Sequence, residues 1–239
     1  VTAEMIKYAA NAFLALKISY INEVANLCEA LGANVQDVSK AMGQDGRISP
    51  KFLHPGPGYG GSCFPKDTRA FATLSRENGQ KMQTIEAAIK ANQYQKIRMV
   101  KKLKNLTGGN FSHKTISILG LSFKPNTDDI RDSASIDMIS AINDGGGFVR
   151  AYDPIANESM KGIFEHIKYF ESWEEACKDS DAVAIMTEWN EFRSMSIKKL
   201  KLLMNKPVLL DTRNIINVKK LKEYDFNYDN VGRGDNDDN

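Results

Sequence analysis

The chain has 239 residues, 42% of them hydrophobic and 26% charged, with 32 Lys and Arg against 30 Asp and Glu for a formal charge of +2. Such a length allows one large domain or two ordinary ones, and the composition is that of a globular chain, not a disordered one. The near-balanced charge argues against a bulk electrostatic nucleic-acid binder, and no apolar run approaches the roughly 18 residues of a membrane span. The first residues lack a signal-peptide layout. Cys28, Cys63 and Cys177 are odd in number and widely spaced, which argues against a disulfide framework and for a reducing, cytoplasmic compartment. The chain opens on Val1 and is in helical periodicity within a few residues, so it reads as part of a longer protein or as a processed chain, which would look the same.

From Thr2 to Leu31 apolar positions recur at three- and four-residue steps on more than one side, predicting a long helix stopped at Gly32. A short helix is predicted over Asn34 to Met42, a Gly/Pro-rich connection over Gly43 to Gly61, and a helix over Pro65 to Asn78. A second long helix, Met82 to Leu106, ends at Thr107-Gly108-Gly109-Asn110. The period then changes. Strands are predicted at Thr115 to Gly120, Phe148 to Tyr152, Ala182 to Met186 and Val208 to Asp211, alternating with helices at Ser135 to Asn143, Trp173 to Lys178 and Ile197 to Met204. Strands alternating with helices mean crossover units and a mostly parallel, Rossmann-like sheet. The expected organisation is an all-helical domain over residues 1–108, an α/β domain over 109–231 and a frayed tail over 232–239.

The strongest local signal is Gly56-Pro57-Gly58-Tyr59-Gly60-Gly61-Ser62-Cys63-Phe64-Pro65-Lys66-Asp67. Its glycines let backbone approach a ligand, and Pro65 suits the first helical position, which puts Cys63 at a helix N-terminus. There the dipole and free N–H groups favour a thiolate, with Lys66 adding positive charge. Asp67 is placed to orient a water or move a proton. Cys28 and Cys177 lie on apolar helical patterns and read as buried structural thiols. Lys7 and Asn11 are one helical turn apart on a shared face. They suit an oxyanion site, although spacing alone slightly favours a solvated Lys. After the first strand, Gly120-Leu121-Ser122-Phe123-Lys124 lacks the second and third glycines of a dinucleotide fingerprint. Lys124 and Arg213 both follow strand ends, the rim where such sheets bind ligands. The run Asp128, Asp129, Arg131, Asp132 reads as a polar loop capping a helix at Ser133 or Ser135 before it reads as a metal site. His54, His113 and His166 show no ligand spacing, so no metal is assigned.

The Gly56–Asp67 run, with Lys7-Tyr8-Ala9-Ala10-Asn11-Ala12-Phe13 upstream and Gly120-Leu121-Ser122-Phe123-Lys124-Pro125-Asn126-Thr127-Asp128-Asp129-Ile130-Arg131 downstream, resembles the nucleotide-sugar 6-dehydrogenases of the UDP-glucose/GDP-mannose dehydrogenase family. The likeness runs in order and spacing up to Gly232-Arg233. It implies an N-terminal NAD-binding domain upstream of Val1, a central helical dimerisation domain, and a C-terminal Rossmann-like UDP-binding domain, of which this chain matches the last two. It further implies NAD as cofactor, a UDP-sugar substrate (UDP-glucose first, GDP-mannose or a UDP-N-acetylhexosamine as alternatives) and a homodimer through the long central helix. Carried over by resemblance, Cys63 is the nucleophile, Lys7 and Asn11 hold the oxyanion and sugar, and Asp67 assists Lys7 and the hydrolytic water. Phe52, Leu53, His54, Gly56, Gly58, Tyr59 and Gly60 match the loop wrapping the substrate, and Phe123, Lys124 and Arg213 match further substrate contacts. Arg47 matches an arginine reaching the neighbouring subunit's substrate, and Lys66 and Arg131 match cofactor contacts. Ser49, where glycine often stands, and His54, where Lys is common, depart from the pattern.

Overall fold

The computed structural model describes residues 2–234, which fall into two compact units: residues 2–95 with 231–234, and residues 96–230.

The first unit is helical. Helix α1 (Thr2–Leu31) buries Ala12, Ala15, Ser19, Ile21, Asn22, Ala25 and Cys28 at three- and four-residue steps. So many small residues on one stripe let α3 (Phe64–Glu77) pack closely against it. Ala12, Phe71 and Ile85 form the centre of this contact, flanked by Tyr8, Met82 and Ile89. Gly32, at φ +69°, ends α1. Asn34 then caps α2 (Val35–Gly43) by accepting from the Gln36 N–H, a contact worth about 1 kcal/mol. Helix α4 (Gln83–Leu106) begins in this unit.

The second unit is a six-stranded parallel sheet in the order β3-β2-β1-β4-β5-β6. Its strands are β1 (Thr115–Leu119), β2 (Phe148–Tyr152), β3 (Lys168–Tyr169), β4 (Ala182–Ile185), β5 (Val208–Asp211) and β6 (Asn227–Asp229). Every residue of β4 and β5 is buried, as expected of central strands covered on both faces. The connecting helices are α5 (Ala134–Asp144), α6 (Asn157–Lys161), α7 (Trp173–Cys177), α8 (Asn190–Arg193), α9 (Ile197–Leu203) and α10 (Val218–Glu223). Trp173, Phe192, Leu200, Leu209 and Leu221 pack one core face of the sheet together with Val183 and Ile185. The strand order reverses between β1 and β4, and ligands of such sheets bind outside the carboxyl ends at that point. There the backbones come very close: Gly120 sits at φ +92°, and a Cβ on it would lie 2.5 Å from Thr187 Cβ and 2.6 Å from Thr187 N.

Two expectations change. The break between units falls inside α4, between Gln95 and Lys96, and not at its end near residue 108. The reason lies on the second half of the helix. Lys96 Nζ donates to the Asp132 carbonyl and the Asp137 carboxylate, and the buried Lys102 donates to Asp229 and the Asn230 carbonyl. The tail is also not frayed where it is described. Val35 N–H donates to the Gly232 carbonyl, Gly232 N–H to Glu29, and Arg233 bridges Asn34. Residues 235–239 lie outside the described residues. Strands β3 and β6 and helices α6, α8 and α10 have no counterpart among the elements expected from periodicity.

Both tryptophans, Trp173 and Trp189, lie in the α/β unit, so their fluorescence follows its unfolding alone. Gly120→Ala must adopt a left-handed conformation and displace Thr187. It is expected to destabilise this unit by on the order of 3 kcal/mol in urea titrations.

Candidate functional site

In the helical unit the chain brings three polar groups together. Asn11, on α1, donates from Nδ2 to Asp67 Oδ2 on α3 at 2.5 Å, and Lys7 Nζ lies 3.8 Å from the same oxygen. The Asp67 side chain is 2% exposed and that of Lys7 62%, so a buried carboxylate holds a largely solvated cation at the surface. Cys63 is the N-cap residue of α3, one turn before Asp67, whose N–H donates to the Cys63 carbonyl at 2.8 Å. The Cys63 side chain makes no capping bond, and Ser62 Oγ lies 3.6 Å from its Sγ. Of the three thiols Cys63 alone is exposed. Burial pushes the thiol pKa of Cys28 up, helped by the nearby Glu29 carboxylate, and pushes that of fully buried Cys177 up further.

The connection ahead of Cys63 is held by side chains. Buried backbone must be paired, and this loop has no strand beside it. Asn22 Oδ1 accepts the Gly56 N–H, and Gln95 Nε2 donates to the Gly56 carbonyl. Asn92 holds both the N–H and the carbonyl of Tyr59, at 2.7 and 3.0 Å. Upstream, Lys17 Nζ donates to the carbonyls of Ile48, Ser49 and Lys51. That clip spans Ser49 and precedes Phe52, both non-glycine residues at φ 65°. Phe52 and Tyr59 each set a ring edge-on against Phe64, at 5.9 and 6.1 Å, while Leu53 is buried and His54 exposed. Arg47 is exposed and paired with Asp45, whose carboxyl is held below its usual range by the Arg47 hydrogen bonds. Lys66, in the first turn of α3, is exposed.

In the α/β unit the remaining candidates sit at the carboxyl rim. Arg213, after β5, donates from Nε to the Met186 carbonyl and from Nη2 to the Phe123 carbonyl, and pairs with Glu188 at 3.1 Å. Lys124 is exposed, its Nζ 5.3 Å from the centre of the Phe123 ring. Arg131 makes a two-pronged contact with Asp129, whose carboxyl it holds below the usual range. Ser133 caps α5 by accepting the Ser135 N–H. Lys7, Asn11, Arg47, Phe52, Leu53, His54, Gly56, Gly58, Tyr59, Gly60, Cys63, Lys66 and Asp67 thus lie in the first unit, and Phe123, Lys124, Arg131 and Arg213 in the second. Among the described residues no three His, Cys, Asp or Glu side chains cluster as metal ligands, and no helix is long and apolar enough to cross a membrane.

Two family profiles match the chain in order: the central domain of the UDP-glucose/GDP-mannose dehydrogenase family over residues 1–94, and the UDP-binding domain of the same family over residues 117–218. The chain belongs to that family. It is 46% identical to a UDP-glucose 6-dehydrogenase of Rhizobium meliloti (strain 1021) over 98% of this chain and 54% of that protein. Among solved structures it resembles a UDP-glucose dehydrogenase from Pyrobaculum islandicum, with TM-score 0.86 and 34% identity over 97% of this chain and 51% of that one. It also resembles a UDP-D-ManNAc dehydrogenase from Pyrococcus horikoshii, with TM-score 0.83 and 28% identity over 98% and 52%. The chain therefore spans about half the length of the relatives it matches.

For a member of this family, sequence reasoning missed the residues that hold the loop: Lys17, Asn22, Asn92, Gln95 and, at the rim, Glu188. Amides on a helix that also carries solvated Lys and Gln give no pattern that separates buried from exposed. A neutral alkylating reagent under native conditions is expected to add one adduct per chain, at Cys63. Cys63→Ser should take up none, with the adduct located by peptide mass mapping.

Proposed function

We propose that this chain is the cysteine-bearing and UDP-binding portion of an NAD-dependent UDP-glucose 6-dehydrogenase, converting UDP-glucose to UDP-glucuronate by two successive two-electron oxidations. One observation carries the reading: the only exposed thiol opens the helix that bears Asp67, and Asp67 gathers Asn11 and Lys7. The family membership and the relatives' names support the substrate class.

NAD, when bound, accepts the hydrides. The turn after β1 does not fit its diphosphate, because the amides of Gly120, Leu121, Ser122 and Phe123 are all bonded within the unit. This chain's own residues act on the sugar. Cys63 Sγ attacks C6 of the sugar aldehyde, forming a C–S bond and placing negative charge on the former carbonyl oxygen. Lys7 Nζ and Asn11 Nδ2 are the donors for that oxygen, and Asp67 orients both. After oxidation to the thioester, a water oxygen adds at C6 and its proton passes to Asp67. The C–S bond breaks with its electron pair returning to sulfur, which releases the uronate. The aldehyde thus stays covalently held between the oxidations. Within the helical unit the loop from Phe52 to Gly60 serves sugar-nucleotide binding; within the α/β unit Phe123, Lys124 and Arg213 serve UDP binding. Lys66 and Arg131 contribute charge toward the cofactor phosphates, and Arg47 reaches the substrate of a partner subunit. A cytoplasmic setting keeps the thiol reduced.

The partner is a second copy. Ile6, Phe13, Tyr20 and Leu27 lie seven residues apart on α1, each half or more exposed, and form an apolar row of coiled-coil spacing. A closed twofold contact through this row gives a homodimer. The likeness to the UDP-D-ManNAc dehydrogenase leaves other nucleotide sugars as the alternative substrates, to be separated by a substrate panel.

In the full-length enzyme Cys63→Ser is expected to abolish uronate formation while keeping UDP affinity, measured by product assay and calorimetry; unchanged turnover overturns the mechanism. The 239-residue chain by itself is expected to bind UDP, show little affinity for NAD and form no uronate. Light scattering should give a dimer that Phe13→Asp with Tyr20→Asp converts to monomer; a monomeric parent chain overturns the assembly.

A further inference from the structure

In a dinucleotide fold the turn after the first strand offers bare N–H groups to the diphosphate. Here the same turn already holds an anion, and the anion is a side chain. Asp153 follows β2 at its carboxyl end and is 2% exposed. Its Oδ2 accepts the N–H of Leu121 at 2.7 Å, the N–H and hydroxyl of Ser122 at 3.1 Å each, and Trp189 Nε1 at 3.1 Å. Its Oδ1 accepts the N–H groups of Ile155 and Ala156 at 2.9 Å. Six donors therefore converge on one carboxylate. The neighbouring amides are taken as well, Gly120 N–H by the Tyr152 carbonyl and Phe123 N–H by the Asp129 carbonyl. The turn is locked from its other side by Thr187 Oγ1 donating to the Ser122 carbonyl and Ser135 Oγ donating to the Leu121 carbonyl.

We propose that Asp153 is a specificity-determining positioning residue. Its carboxylate occupies the place of a nucleotide diphosphate at the β1 turn, closes that turn to nucleotide phosphates, and fixes the turn that leads into Phe123 and Lys124. The absence of the second fingerprint glycine then has a cause. A ligand that never approaches the turn does not require bare backbone there, and Ser122, which stands in that glycine's place, is tolerated because its N–H and hydroxyl face an internal acceptor. Anion recognition by the unit shifts outward along the rim, to exposed Lys124 and to Arg213, which reaches back to the Phe123 carbonyl. Asp153 touches neither substrate nor cofactor; it acts by holding the backbone that presents Phe123 and Lys124.

The inference rests on the reading that this unit binds UDP, and its test separates the two. Calorimetry with UDP is run on the whole chain and on Asp153→Asn and Asp153→Ala, the latter with added formate or with formamide, its neutral counterpart of similar shape. Asp153→Asn keeps the shape but turns an N–H group toward donors, and is expected to bind UDP at least about tenfold more weakly, the scale of one lost charge-assisted contact. Asp153→Ala should lose as much and regain affinity with formate but not with formamide, since only the anion replaces what was removed. Formate should also restore the tryptophan emission and the thermal transition of the variant, because Trp189 donates to the same carboxylate. A role in filling space alone predicts equal rescue by the two additives, and that result overturns the proposal, as does wild-type UDP affinity in a folded Asp153→Asn. If the unaltered chain binds no UDP, the function fails, and the formate comparison on the thermal transition still decides the role of Asp153. Should Asp153→Ala fold only in an additive, recovery in formate alone supports the proposal and recovery in both overturns it.

Discussion

Backbone buried in a loop has no neighbouring strand to pair with, yet buried N–H and carbonyl groups left without partners cost on the order of 1–3 kcal/mol each. The helical unit meets this constraint with side-chain amides. Asn22, Asn92 and Gln95 take up the N–H and carbonyl groups of Gly56 and Tyr59 one by one, as a neighbouring strand would, but from α1 and α4. Lys17 does the same for three carbonyls farther upstream. The glycine run is thereby fixed although most of it is buried, and Cys63, which is exposed, follows it at a defined helix start.

Asp67 applies a related principle to charge. A carboxylate removed from water needs donors, and it finds them in Asn11 and Lys7, which come from a helix 56 residues away in sequence for the Asn11 contact. The burial that makes Asp67 costly in isolation is what draws both donors onto one carboxylate oxygen. In the α/β unit, Asp153 and the Arg213–Glu188 pair serve the same end at the sheet rim, each tying a loop to a strand end through backbone contacts.

Much of this is legible in the chain itself. Periodicity locates α1 and the four central strands, because long apolar patterns outvote local exceptions, and the Gly56–Asp67 run announces its own loop and helix start. Strands β3 and β6 escape because a two- and a three-residue strand, Lys168–Tyr169 and Asn227–Asp229, cannot show alternation. Lys7 cannot be told from a solvated surface lysine by spacing, since its partner Asp67 is distant in sequence. Asn92 and Gln95 look like ordinary polar positions of α4, and Asp153 like any acid after a strand; what distinguishes them is the convergence of donors and acceptors in space. The division inside α4 is hidden for the same reason, because Lys96 and Lys102 read as surface charges until Asp137 and Asp229 are beside them.

The return of residues 231–234 to the helical unit makes that unit discontinuous in the chain, with the whole α/β unit inserted between Gln95 and Val231. Gly232 is seated so tightly that a Cβ on it would lie 2.5 Å from Val35 and 2.6 Å from Ala25. During synthesis the helices emerge first, yet the closing segment of their own unit emerges only after some 135 intervening residues, about 7–27 s later at 5–20 residues per second. The inserted unit, continuous and rich in short crossovers, has that interval in which to fold, and the helical unit is completed last although it was begun first.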